Sequence, residues 1–155
     1  MQIALYQGKS LISKAIRWQT RGIYSHAAII LPCGDVIEAW HNPGRVRLQQ
    51  SLSDGHSSGT PVDVFNVATS HNEDTLIDCF LRKQLGKKYD FRAIARFISR
   101  RNNDNADKWF CSELVFAAFE KAGLDLLART DAFEVSPVML SRSPLLVFDH
   151  SIITY

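Results

Sequence analysis

The run 107–123 constrains the fold more than any other stretch. Cys111, Leu114, Val115, Ala118, Phe119 and Ala122 recur at i, i+3, i+4, i+7, i+8 and i+11. That spacing is the buried stripe of an amphipathic helix. Asp107 suits the N-cap, because its carboxylate can accept from the orphan N–H groups of a first turn. Gly123 suits the left-handed position that ends a helix. Cys111 then falls in the first turns, on the inward side. There the positive end of the helix favours thiolate over thiol. A cysteine on an apolar stripe is also an ordinary small core residue, so its chemistry depends on what faces the sulfur.

The strongest strand is 23–31, Ile-Tyr-Ser-His-Ala-Ala-Ile-Ile-Leu, apolar on both faces as in a covered sheet, with His26 within it. Pro32, Cys33, Gly34 and Asp35 form a turn, and 35–40 returns as a hairpin strand carrying Glu38 in an otherwise apolar run. Loop length decides whether His26 and Glu38 meet. A two-residue loop at Cys33–Gly34 pairs Ile29 with Glu38 and puts His26 on the other face. A three-residue loop, 32–34, pairs Ala28 with Glu38 and makes His26 its diagonal neighbour on one face. A His–Glu pair therefore requires an odd loop or a bulge.

The remaining elements follow from similar signals. Residues 2–6 suit a first strand, and Ser10 caps a helix through Trp18 with Leu11, Ile12, Ala15 and Ile16 on its apolar side. Residues 45–48 and 62–67 read as strands, separated by a Ser/Gly-rich loop, 51–61, expected to be mobile and to rim a cleft. Ser70 to Glu73 matches a capping box and opens a helix to Leu85, stopped by Gly86, with Cys79 as a structural residue. Further helices are expected over 91–99, as a turn in 124–129, and at Ser136-Pro137, where proline takes the first helical position. The end, 145–148 and 152–155, completes the sheet. The expected architecture is a single α+β domain over residues 1–155, an antiparallel sheet with helices to one side.

Composition narrows the function. The chain has 155 residues, 46% apolar and 22% charged, which is enough for one domain with a real core. A net charge of +2 with dispersed Lys and Arg does not argue for nucleic acid. Arg92, Arg96 and Arg100 share a helix face that reads as solvated, with Arg101 beside it. No apolar run nears the roughly 18 residues of a membrane span, and 1–11 shows no secretory signal, so a cytoplasmic location is expected. The three cysteines, Cys33, Cys79 and Cys111, are too few and too widely spaced for a disulfide framework or a zinc ribbon. The five histidines lack the i, i+4 spacing of a helical metal pair, so neither a metal nor another cofactor is expected.

Cysteine at a helix N-terminus, histidine on a strand and a polar residue on the next strand form the pattern of papain-like thiol catalysis. Here the residues also resemble a known family. Tyr24-Ser25-His26-Ala27-Ala28-Ile29, then 35–39 with Glu38, then Tyr89-Asp90, then Cys111-Ser112-Glu113-Leu114-Val115 are similar to the circularly permuted NlpC-like, papain-fold proteins of the YiiX/YebB type. Gln7-Gly8 with the 10–20 run, and the late 136–140 segment, extend the likeness over most of the chain. The motifs are short, and their joint occurrence is what makes the likeness specific.

The resemblance implies a permuted papain-like fold in which Cys111 is the nucleophile, His26 the base and Glu38 the third polar residue. His26 preceding Cys111 is the permuted order. The related lecithin:retinol acyltransferase group tends to carry a second histidine near the third position, so Glu38 points to the bacterial and phage branch. One departure is Lys9, where the family commonly has aspartate after the glycine. The implied activity is a thiol hydrolase acting on an amide, such as a cell-wall-type peptide, through an acyl-enzyme whose oxyanion is met by the Cys111 N–H. A lipid-directed acyl hydrolase or acyltransferase, with Trp18, Trp40 or Trp109 at an apolar cleft, shares that intermediate. A non-catalytic binding module is the third reading.

Overall fold

The computed structural model describes residues 1–93 and 108–155. Most of the expected helix over 91–99, the arginines at 96, 100 and 101, the connection 100–106 and Asp107 lie outside the described residues.

Eight strands make one sheet: β1 (Gln2–Tyr6), β2 (His26–Ile30), β3 (Val36–Trp40), β4 (Arg45–Gln49), β5 (Pro61–Val67), β6 (Lys88–Tyr89), β7 (Lys108–Trp109) and β8 (Leu146–Ile153). Their order is β7-β6-β4-β3-β2-β1-β5-β8. All neighbours are antiparallel except β6 and β7, which run parallel. Among the described residues, the helices with both ends defined are α1 (Leu11–Thr20), α2 (His71–Gln84), α3 (Cys111–Lys121) and the short α4 (Pro137–Leu140), with a 3₁₀ turn at Ala132–Glu134. The α+β class expected from the sequence is the class observed.

Local chemistry accounts for the helix ends. Ser10 accepts from the Ser13 N–H at 3.1 Å. Ser70 and Glu73 form the reciprocal capping box, of the kind worth about 1 kcal/mol. Ser136 accepts from the Met139 N–H with Pro137 inside the first turn. The α3 start differs from expectation. Lys108 and Trp109 are strand, and the helix begins at Cys111, where the Glu113 carboxylate reaches back to the Phe110 N–H at 3.2 Å. Strand pairing with β6 overrides the helical continuation to Asp107, and it moves Cys111 to the first helical position. No helix forms over 124–129; the turn comes later, at Ala132.

The sheet has two different faces. Ile3, Leu5, Ala27, Ile29, Ile37, Ala39 and Val46 join the main core with α2 and α3. Tyr6, Ala4, Ala28, Val36 and Val62 form a smaller cluster on the opposite face. Strand alternation assigns every residue of β2 and β3 to one or the other. The hairpin between them has the three-residue loop, with the Leu31 N–H bonded to the Asp35 carbonyl at 2.8 Å and Ile29 opposite Ile37. Ala28 therefore stands opposite Glu38, and His26 shares Glu38's face. The β2–β3 ladder does not continue past Ile29 towards His26, so the two strands part there.

This register makes the turn length testable. Deleting Cys33 shortens the loop to two residues and reverses the parity of β3, so Glu38 is pushed into the apolar core and Ile37 out of it. The deletion is expected to cost about 3–5 kcal/mol, the range for breaking a buried ion pair. Cys33→Ser, at an exposed site, stays within about 0.5 kcal/mol. Urea denaturation of both variants measures the difference.

Candidate functional site

Glu38 is the centre of the site. It is wholly buried on the smaller face, and an ionised carboxylate there survives only if its lone pairs are filled. Arg47 lies directly across on β4 and donates to Oε1 from Nε at 2.9 Å and from Nη2 at 2.6 Å. Gln49, two residues on and so on the same face, donates to Oε1 at 2.5 Å. Oε2 takes the Nε2 of His26 and, at 3.1 Å, the Nε2 of His56. Burial pushes the Glu38 pKa up, but His26 and His56 outweigh it, and the group is held well below the usual carboxylate range. Within this shell the Gln49 Oε1 is buried without a hydrogen-bond partner.

His26 is nearly as enclosed. Its ring lies 4.7 Å from Trp40 and 5.1 Å from Tyr6, centroid to centroid. Burial lowers its pKa, with Glu38 opposing, so the neutral imidazole is favoured. An ionised carboxylate only accepts hydrogen bonds, so its contact with Nε2 requires a proton there. The lone pair of neutral His26 is then on Nδ1.

His56 comes from the Ser/Gly-rich loop and was not anticipated. It stacks on Tyr6 at 4.2 Å with 15° between the rings, and lies 4.3 Å from Trp40. The loop expected to be mobile is tied down: Gly59 and Thr60 bond to Thr154, and Asp54 accepts from the N–H groups of Gln50 and Ser51. It does rim a cavity of about 210 Å³, lined by Tyr6, Lys9, His26, Trp40, His41 and His56 among others. The i, i+4 spacing of a metal pair belongs to helices; here a strand and a loop bring two histidines together instead. Arg47 and Gln49 were legible only as alternation in β4, once the Glu38 register is fixed.

Cys111 lies on the helix side of the sheet. Its side chain is fully buried in the main core with Ala27 and Leu114. The Ala27 N–H, on the same alternation as Leu31, faces the gap where β3 leaves β2. That N–H and those of Ser112 and Cys111 itself are directed at the sulfur. They do not win. Burial pushes the Cys111 pKa up, and with the Glu38 charge it reaches about 12 against the three N–H groups. The expected thiolate is therefore a thiol in this structure, because desolvation exceeds the helix N-terminal effect. The structure joins His26 to Glu38. It places Cys111 beside the backbone of Ala27, next to His26 in the chain, without a Cys111–His26 hydrogen bond, and Cys111 does not line the cavity. Cys79, expected to be structural, is exposed on α2.

Of the three tryptophans, only Trp40 lines the cavity. Trp18 is exposed on α1, and Trp109 packs on Phe80 and donates to Gln84. Tyr89 is buried against Phe91 and Phe110. Gly8 is required by close approach, because a Cβ there would lie 2.3 Å from the Ser13 Oγ and 2.8 Å from the Ser25 Oγ. Among the described residues no helix is long and apolar enough to cross a membrane.

No family model matches the chain, and no curated protein matches it. Among solved structures, the fold is similar to that of metalloprotein YiiX (DUF1105) from Escherichia coli O157:H7. The match has a TM-score of 0.70 at 19% identity, and covers 96% of this chain and 94% of that one. The chain shares that protein's fold.

Two outcomes follow from the site. In native protein near pH 8, iodoacetamide is expected to label exposed Cys33 and Cys79 and spare Cys111, whose labelling rises only as pH climbs towards about 12. Site-resolved mass spectrometry across pH reads this directly. Glu38→Ala leaves Arg47 and two imidazoles without their acceptor, and is expected to cost about 3–5 kcal/mol in urea denaturation.

Proposed function

We propose that the protein is a thiol hydrolase that cleaves an amide through an acyl-enzyme on Cys111, with His26 as base and Glu38 as the residue that fixes the base. The observation carrying this reading is the tautomer. Glu38 holds His26 by Nε2, which leaves the Nδ1 lone pair to accept the thiol proton. The resting pair is thiol and imidazole, so activation is general-base transfer during attack. The sulfur bonds to the substrate carbonyl carbon as its proton passes to Nδ1. The Cys111 N–H, at the first helical position and outside the helical ladder, is available to the oxyanion. The imidazolium then protonates the leaving amine, and the C–N bond breaks. Water deprotonated by His26 hydrolyses the thioester, and the thiol is restored.

Because Cys111 is covered, a substrate entering on the His26 side of the cavity must uncover the sulfur before attack. The resemblance to papain-fold proteins favours a cell-wall-type peptide. An acyl ester of the lipid-directed relatives would give the same intermediate, and an acceptor other than water would make the protein an acyltransferase. The complete burial of Cys111 favours one second reading, a binding module whose ligand sits in the His26 cavity without covalent chemistry.

Intact-mass analysis after mixing with short peptide amides and short-chain acyl esters separates these readings. The expected result is an acyl adduct on Cys111 that decays with turnover, is absent in Cys111→Ala, and forms about 10²–10⁴-fold more slowly in His26→Ala. No adduct with any substrate, or an equal one in Cys111→Ala, contradicts the hydrolase and leaves the binding module.

A further inference from the structure

His56 has no part in the thiol mechanism, yet it is buried to 4% side-chain exposure with its Nε2 aimed at the same carboxylate oxygen as that of His26. Two imidazole nitrogens and one carboxylate oxygen converge, all within 4.8 Å of one another. We propose that His26, His56 and Glu38 form a site for a divalent transition metal of the zinc type.

The donor set fits. Two imidazoles and one carboxylate are a known tetrahedral zinc set that leaves a fourth position open, and hard cations such as magnesium prefer all-oxygen sites. Two ligand atoms on one tetrahedral zinc stand about 3.3 Å apart, from bonds of about 2.0–2.2 Å. The His56 Nε2 to Glu38 Oε2 distance of 3.1 Å is already close to that. The carboxylate is also prepared for the role. Arg47 and Gln49 occupy Oε1 alone, fixing the group while Oε2 faces the histidines, as outer partners of metal ligands do. Tyr6 and Trp40 hold the His56 ring in place. Both histidines line the 210 Å³ cavity, which gives an ion and a fourth ligand a route in.

The metal and the base exclude one another. Coordination takes the Nε2 lone pair, so neutral His26 must carry its proton on Nδ1, the atom that accepts the thiol proton in the hydrolase reading. Zinc would therefore silence Cys111 acylation. That consequence rests on the hydrolase reading; the site itself does not.

The test uses Zn²⁺ alone, on the full chain with Cys33, Cys79 and Cys111 changed to Ser so that no thiol contributes. Equilibrium dialysis is expected to give one Zn²⁺ per chain, with affinity at least about tenfold weaker in the same background carrying His56→Ala. Circular dichroism checks that this variant is folded. If it is not, histidine ¹⁵N spectra of the folded parent decide, the expected result being zinc-dependent shifts at the Nε2 of His26 and His56 and not at His71 or His150. Absent binding, unchanged affinity in a folded His56→Ala chain, or shifts confined to other histidines overturns the site. The hydrolase reading fails separately, through the absence of a Cys111 adduct in metal-free wild-type protein.

Discussion

The buried carboxylate of Glu38 organises the smaller face of the sheet. A charge taken wholly out of water is sustained only by donors fixed in place. Here Arg47 and Gln49 come from the neighbouring strand, His26 from the strand on the other side, and His56 from a loop. Each is positioned by ordinary strand alternation or by ring packing. Remove the carboxylate and four donors in three chain segments lose their common acceptor. The same charge sets the tautomer of His26 and helps keep Cys111 a thiol.

Sheet geometry brings the cysteine near this centre. Cys111 and His26 belong to opposite faces, which in an unbroken sheet would keep them apart. The β2–β3 ladder, however, ends at Ile29. The Ala27 N–H that would continue it is directed at the sulfur instead. The late start of α3, caused by the pairing of Lys108 and Trp109 with β6, puts Cys111 at the first helical turn and at this gap. The cost is desolvation, which overrides the favourable helix end and leaves a neutral thiol. Under the proposed hydrolase reading, base catalysis acts at the moment of attack and no thiolate is stored.

Legibility in the sequence followed the range of the forces. The capping box at Ser70–Glu73, the proline start at Pro137 and the apolar stripe of α3 are local, and each predicted its element. The His26–Glu38 contact was reduced to one condition, an odd loop at 32–34, because side-chain parity along a hairpin depends on that count alone. His56 could not be read: it comes from a segment with no periodicity, and only the packing of Tyr6 and Trp40 brings it to the carboxylate. Arg47 needed the β3–β4 register, which no local pattern sets. The thiolate expectation failed because a helix N-terminus is visible in sequence and the depth of burial is not.

The chemistry of this site turns on Glu38 holding His26 as the Nε2–H tautomer with a free Nδ1 lone pair. Long-range ¹H–¹⁵N correlation of metal-free protein at neutral pH, with His26 assigned through His26→Gln, tests this most directly. The expected result is a protonated Nε2 and an unprotonated Nδ1 for that one ring. A proton on Nδ1 alone, or on both nitrogens, would contradict it.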